Sequence, residues 1–219
     1  MVARMTDKRI ETKLGPLHAH IEGTGPAILL AHGVHPSNNW QVWANNVTAL
    51  ASAGFSVYAL DLIGYGESGG ERLDYRQQAQ AVFDLMDAEG LETAIVGGVS
   101  WGGTIALEMT LSNPQRVARL ILVDSGGAGV FPEEELAQIT CPTLVVWGED
   151  DTVIPAANAA WFGATIPNCR VEVIAGVTER EGVPPWGGHH PMRFKPDEFN
   201  AIVTTFLMQG PIALPNQGD

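Results

Sequence analysis

The apolar run at residues 93–97 passes directly into Gly98-Val99-Ser100-Trp101-Gly102, and residues 101–111 then carry a helical pattern that ends before Pro114. A strand that turns into a helix this abruptly forces the corner residue into strained backbone. It leaves no room for side chains two positions before and after the corner. Glycine stands at both positions, 98 and 102. Such a turn lifts the Ser100 hydroxyl off the end of a sheet and sets it at a helix N-terminus, where oriented N–H groups favour negative charge. As a bare pentapeptide G-x-S-x-G arises by chance, and the alternative is a packing turn with an idle serine. Between a strand and a helix it predicts a nucleophile.

The rest of the chain fits around that turn. Residues 8–14 and 17–22 read as two strands about Gly15-Pro16, an antiparallel hairpin. Further short strands are expected at 27–31, 55–60, 120–123, 143–147 and 170–174, with helices at 39–53, 74–89, 156–164 and 197–208. Strands apolar on both faces that alternate with helices predict the α/β class, a mostly parallel sheet covered on both sides. One domain is expected over residues 1–208, with 209–219 as a C-terminal tail. Trp40, Trp43, Trp147 and Trp161 sit at helical or strand spacing and are expected in the core.

A formal net charge of −13 argues against nucleic acid or an anionic membrane as partner, because phosphate binding needs clustered Lys and Arg. No stretch has signal-peptide or membrane-spanning character, so a cytoplasmic enzyme is the expectation. Cys141 and Cys169 each precede an apolar strand. Two buried, reduced thiols are expected, with a bridge between neighbouring strand starts as the alternative. His32, His35, His189 and His190 form no close ligand motif, so neither a metal nor a cofactor is expected.

Five segments, in one order, resemble the α/β-hydrolase superfamily over roughly residues 8–208. They are His32-Gly33, Asp61-x-x-Gly64-x-Gly66-x-Ser68, the serine turn, the run from Trp147-Gly148 to Ile154-Pro155, and Gly188-His189 with Pro196-Asp197-Glu198-Phe199 behind it. The resemblance implies the order nucleophile, acid, histidine, met by Ser100, Asp151 and His189. The family pattern Gly-x-x-Asp-x-x-x-Pro selects Asp151 over Glu149 and Asp150. Asp124 is the rival, since some members take their acid from the preceding strand. His189 stands at the family's usual distance from Pro196, whereas His190 falls at a variable position. His32 is expected to brace the oxyanion loop. The oxyanion donors implied are the backbone N–H groups of Trp101 and Val34.

Many relatives insert a helical cap after the sixth strand, but residues 124–142 are too few for several helices, so no large cap domain is expected. The segment 176–188 is instead longer than in most relatives. It is read either as a surface loop or as a partial lid in which Trp186 lines the acyl pocket. His35, Trp186 and His190 are the substrate-binding candidates. The reaction expected is hydrolysis of a small-molecule carboxylic ester through an acyl-enzyme. Acyl transfer, thioester hydrolysis or C–C cleavage on the same triad are the alternatives within this chemistry, and a ligand-binding module without turnover is the alternative outside it.

Overall fold

The computed structural model describes residues 5–210; the remainder of the expected tail lies outside them. Eight strands form one sheet: β1 (Met5–Thr12), β2 (Gly15–Gly23), β3 (Ala27–Ala31), β4 (Ser56–Asp61), β5 (Ala94–Val99), β6 (Val117–Val123), β7 (Thr143–Gly148) and β8 (Cys169–Ile174). Their spatial order is β1-β2-β4-β3-β5-β6-β7-β8. β2 runs antiparallel to both β1 and β4, and every other pair is parallel.

Helices cover both faces because the central strands are apolar on both. Successive strand residues point to opposite sides. Leu29, Leu120, Leu122 and Val145 pack with α2 (Tyr75–Ala88), α3 (Trp101–Ser112) and α5 (Ala157–Thr165). Ile28, Leu30, Ile121, Val123, Leu144 and Val146 pack with α1 (Ala44–Ser52), α6 (Pro191–Phe194) and α7 (Pro196–Met208). Each fully buried Leu or Ile contributes about 1.5–3 kcal/mol relative to exposure, so the two layers together define the fold. α2 starts where a capping box dictates: Asp74 accepts from the N–H groups of Arg76 and Gln77 at 2.9 Å each, and the Gln77 side chain returns to the Asp74 N–H at 3.1 Å. The interval between β6 and β7 holds only the one-turn α4 (Glu133–Leu136), and no cap domain is present among the described residues.

Several expectations need correction. The helix expected at 39–53 is split: a tight 3-10 turn, Trp40–Trp43, precedes α1. Asn39 caps that turn through Gln41 N–H, and Trp40 N–H is drawn to Asp61 Oδ1 at 2.6 Å, which leaves no room for an α-helical first turn. β6 begins at Val117, earlier than residue 120, because a charged residue disguised its start. Arg119 is buried and its guanidinium donates to the carbonyls of Phe206 (3.4 Å) and Gln209 (2.7 Å), satisfying the C-terminus of α7. Trp43 and Trp147 are core, but Trp40 and Trp161 are only half-buried. Trp40 stacks flat on His20, and Trp161 donates to Glu133 Oε1 at 2.8 Å. Both cysteines are free and half-buried, and burial pushes each thiol up to about 11.

Candidate active site

The corner between β5 and α3 has the strain its glycines imply. Ser100 sits at φ 56°, ψ −120°, one of only two non-glycine residues with positive φ among those described. A methyl group at Gly98 would overlap the Gly102 backbone, and one at Gly102 would overlap the Ala31 and His32 carbonyls. The corner is pinned on both sides: Ser100 N–H donates to Val123 O at 3.0 Å, and Gly126 N–H donates to Ser100 O at 2.8 Å. A serine preceding a helix ordinarily spends its hydroxyl on the first-turn N–H groups. Ser100 makes no such bond, so its Oγ is uncommitted. No hydrogen bond joins it to His189 in this structure. Trp101 is the first residue of α3, and its N–H has no acceptor within the helix.

The loop after β3 lies against this corner. A Cβ on Gly33 would stand 3.3 Å from Ser100 Cβ and 3.7 Å from its Oγ. His32 is buried and ties the loop to the next one: Nδ1 meets Gly33 O at 2.8 Å, while Leu62 N–H donates to Nε2 at 3.2 Å. That donor fixes the neutral tautomer with the proton on Nδ1, and burial lowers the His32 pKa to about 4. Val34 is exposed, with its carbonyl accepting from Tyr65 Oη at 3.1 Å; the Tyr65 ring lies 6.2 Å from that of Trp101. His35 is also exposed and pairs with Ser37 Oγ at 2.8 Å.

Asp61 is the residue in this region to which sequence reading gave no role. Its buried carboxylate accepts from Trp40 N–H, from Glu67 N–H at 2.8 Å and from His18 Nδ1 at 2.9 Å, so one side chain fixes the loops after both β3 and β4. Gly66, at φ 48°, is required there because a methyl group would overlap that carboxylate. The signal was the Asp61-x-x-Gly64-x-Gly66-x-Ser68 motif itself, whose polar side chains bond to neighbouring backbone and to His18.

Beyond β7, three adjacent carboxylates separate by partner. Asp150 turns to the insertion, accepting from Thr178 N–H at 2.6 Å and from the Thr178 hydroxyl. Burial opposes its charge, but the Thr178 bonds more than offset this and its pKa is lowered. Glu149 is exposed. Asp151 turns inward: Oδ1 accepts from Val153 and Ile154 N–H at 2.7 and 3.0 Å, and Oδ2 accepts a hydrogen bond from His189 Nδ1–H at 2.7 Å. Both side chains of this pair are buried, and Nδ1 as donor leaves His189 Nε2 free to accept a proton.

His190 follows with its ring 5.2 Å from His189 at right angles. Burial first, then the neighbouring His189 and Arg193, lower its pKa to about 4, so it is neutral across the physiological range. Trp186 stands in a 3-10 turn, Pro185–His189, with its ring edge-on to His190 at 5.5 Å and Phe194 at 5.8 Å. Asp124, Asp151 and His189 are the one group of acidic and histidine side chains among the described residues close enough to share a cation, with one atom of each within 4.8 Å of the others. Within the group only His189 and Asp151 are hydrogen-bonded to each other. A cavity of about 400 Å³ lies at the far end of the sheet, where β6, β7 and β8 begin, lined by Arg119, Thr143, Cys169 and Phe206. It takes no part in the geometry around Ser100.

The sequence model described as "alpha/beta hydrolase fold" matches residues 26–140, and the chain belongs to that family. The match spans Ser100 and both loops beside it but stops short of Asp151 and His189. Among curated relatives, an uncharacterized protein of Mycobacterium tuberculosis is 42% identical over 109 residues, 49% of this chain and 31% of that protein. A 2-hydroxy-6-oxo-6-phenylhexa-2,4-dienoate hydrolase of Comamonas testosteroni is 32% identical over 131 residues, 58% of this chain and 45% of the enzyme. The chain thus spans less than half the length of either relative. The crystal structure of carboxylesterase CesB from Bacillus subtilis is similar in fold, with a TM-score of 0.80 at 22% identity, covering 95% of this chain and 93% of that one. No helix among the described residues is long and apolar enough to cross a membrane.

Proposed function

We propose that this hydrolase cleaves small or medium carboxylic esters with Ser100 as nucleophile, His189 as base and Asp151 as the orienting acid. The observation that carries the reading is the state of Ser100, a helix-capping residue held at φ 56° with its hydroxyl unspent. The His189–Asp151 pair, with Asp151 just beyond β7, two strands from β5, supports it.

In this reading Ser100 Oγ attacks the ester carbonyl carbon as His189 Nε2 takes its proton. The N–H groups of Trp101 and Val34 hold the tetrahedral oxyanion. Collapse breaks the bond to the alkoxide, which leaves as the alcohol with the proton from His189. Water then attacks the acyl-enzyme carbonyl, giving one proton to His189. The second collapse releases the acid and returns that proton to Ser100 Oγ. Asp151 keeps the Nδ1 tautomer and stabilises the transient imidazolium throughout. An open site without a cap domain suits chemistry in which water is a reactant, and disfavours steps that must exclude it.

The test is hydrolysis of p-nitrophenyl esters from acetate to long-chain acyl groups by the wild type and Ser100→Ala. Turnover is expected to fall by about 10⁵–10⁶-fold in the variant. A folded wild type that turns over no ester of the series would sink the ester assignment. C–C hydrolysis on the same triad is the second reading, favoured by the 32% identity to the Comamonas testosteroni hydrolase. Product analysis with 2-hydroxy-6-oxo-6-phenylhexa-2,4-dienoate separates the two.

A further inference from the structure

Two carboxyl groups, not one, reach the base. Asp124 ends β6 with its backbone at φ 41°, the second strained non-glycine residue beside Ser100, and its side chain is completely buried. Its N–H donates to Val146 O at 3.0 Å, so the β6–β7 ladder holds the strained residue in place. Oδ1 accepts from Gly148 N–H at 2.8 Å. Oδ2 is buried and has no donor facing it. One of the Asp124 carboxylate oxygens lies within 4.8 Å of an oxygen of the Asp151 carboxylate.

The titratable groups around Asp124 are Asp151, Asp150 and His189. Two are acids, and His189 is already bonded to Asp151. Asp151 is provided for as an anion, since every bond it makes comes from a donor: two backbone N–H groups and the imidazole. Asp124 has one donor and no cation of its own. Two adjacent carboxylates whose side chains are both fully buried do not both ionise.

We propose that Asp124 is a positioning residue of the triad, a carboxylic acid that keeps its proton in the working enzyme and donates it as a hydrogen bond to the Asp151 carboxylate. The proton converts Oδ2 from an anionic oxygen facing another anion into a donor facing an acceptor. It also gives Asp151 a further donor beside Val153 N–H, Ile154 N–H and His189, which fixes the plane in which the carboxylate meets the imidazole. Burial, and behind it the charges of Asp151 and Asp150, holds the Asp124 carboxyl well above the usual carboxylate range against the opposing pull of Gly148 N–H. The assignment rests on Asp151 and His189 acting as proposed above.

Asparagine matches a neutral acid at this position, with its oxygen accepting from Gly148 N–H and its N–H₂ donating to Asp151. Alanine removes both. Asp124→Ala is expected to lower kcat/KM by about 10- to 100-fold, as loss of a hydrogen bond to a charged group does. It should also move the acid limb of the pH profile upward, because an Asp151 with one donor fewer holds the imidazolium more tightly. Asp124→Asn should restore most of the activity lost and return the limb towards its wild-type position. An Asn variant no better than Ala, with both folded, overturns the proposal. Infrared difference spectroscopy supplies a readout independent of turnover. A carboxylic-acid C=O band at pH 7 that disappears in Asp124→Asn supports the protonated state. Its absence from the wild type refutes that state even if no ester substrate is found.

Discussion

Gly148 and Gly188 lie backbone against backbone, so close that a methyl group on Gly148 would overlap the Gly188 carbonyl and one on Gly188 would overlap the Asp150 carbonyl. This contact brings the turn carrying Asp151 and the turn carrying His189 to hydrogen-bonding distance. The obstruction is main chain, which cannot swing aside. Gly148→Ala and Gly188→Ala should each cost about 1–3 kcal/mol of stability, with a loss of turnover larger than that of a comparably destabilised variant elsewhere. Denaturant midpoints set beside kcat/KM check this, and wild-type activity in either variant would show that the two turns can part without consequence.

Ser100 trades stability for position. A side chain at φ 56°, ψ −120° is strained, whereas glycine is not. Ser100→Gly should be more stable than wild type by about 1 kcal/mol or more while losing turnover, and Ser100→Ala should lose turnover without that gain. Urea unfolding of the three proteins decides it; equal midpoints for Gly and Ala would mean that the corner stores no strain.

His32 makes stability fall on the acid side. Its pKa is lowered from 6.5 to about 4, so the unfolded chain takes up the proton first. The contribution, about 3 kcal/mol, is fully present above pH 6.5 and is lost as pH drops through that window, gone below pH 4. His32→Asn keeps a donor for Gly33 O and does not titrate. Its denaturation midpoint should therefore vary less with pH between 6.5 and 4 than that of the wild type. Parallel curves would remove His32 as the cause.

Trp186 is 44% exposed and bears on the neutral His190. If the ring lines the acyl pocket, Trp186→Ala should raise KM for long-chain esters by roughly tenfold, the value of part of an aromatic surface, and raise it less for acetate. Equal KM values for wild type and variant across the series would leave the ring a role only in packing against Phe194.

The positions that local chemistry governs were legible in the chain. Gly98 and Gly102 around Ser100 announced the corner, the helical spacing over 74–89 announced α2, and strands apolar on both faces announced a sheet buried on both sides. Where an element's ends depended on distant groups, the reading slipped. Trp40 N–H bonds to Asp61, which tightens the first turn of the helix expected from residue 39. Arg119 looks like a strand breaker until α7 brings carbonyls to its guanidinium.

The site divides the same way. The sequence by itself determined that a serine would stand strained at a strand–helix corner, because that requirement is met within five consecutive residues. The family resemblance picked Asp151 from its neighbours, but only the tertiary structure decided which group each carboxylate meets. Asp150 and Asp151 are neighbours in the chain, yet Asp150 bonds Thr178 and Asp151 bonds His189. Asp124, 24 residues from its partner Gly148, is brought against Asp151 by the β6–β7 register. Propensity and periodicity act over a few residues. The meeting of charges across such separations is set by which strands pair, in what register, and how closely two glycines let their turns approach.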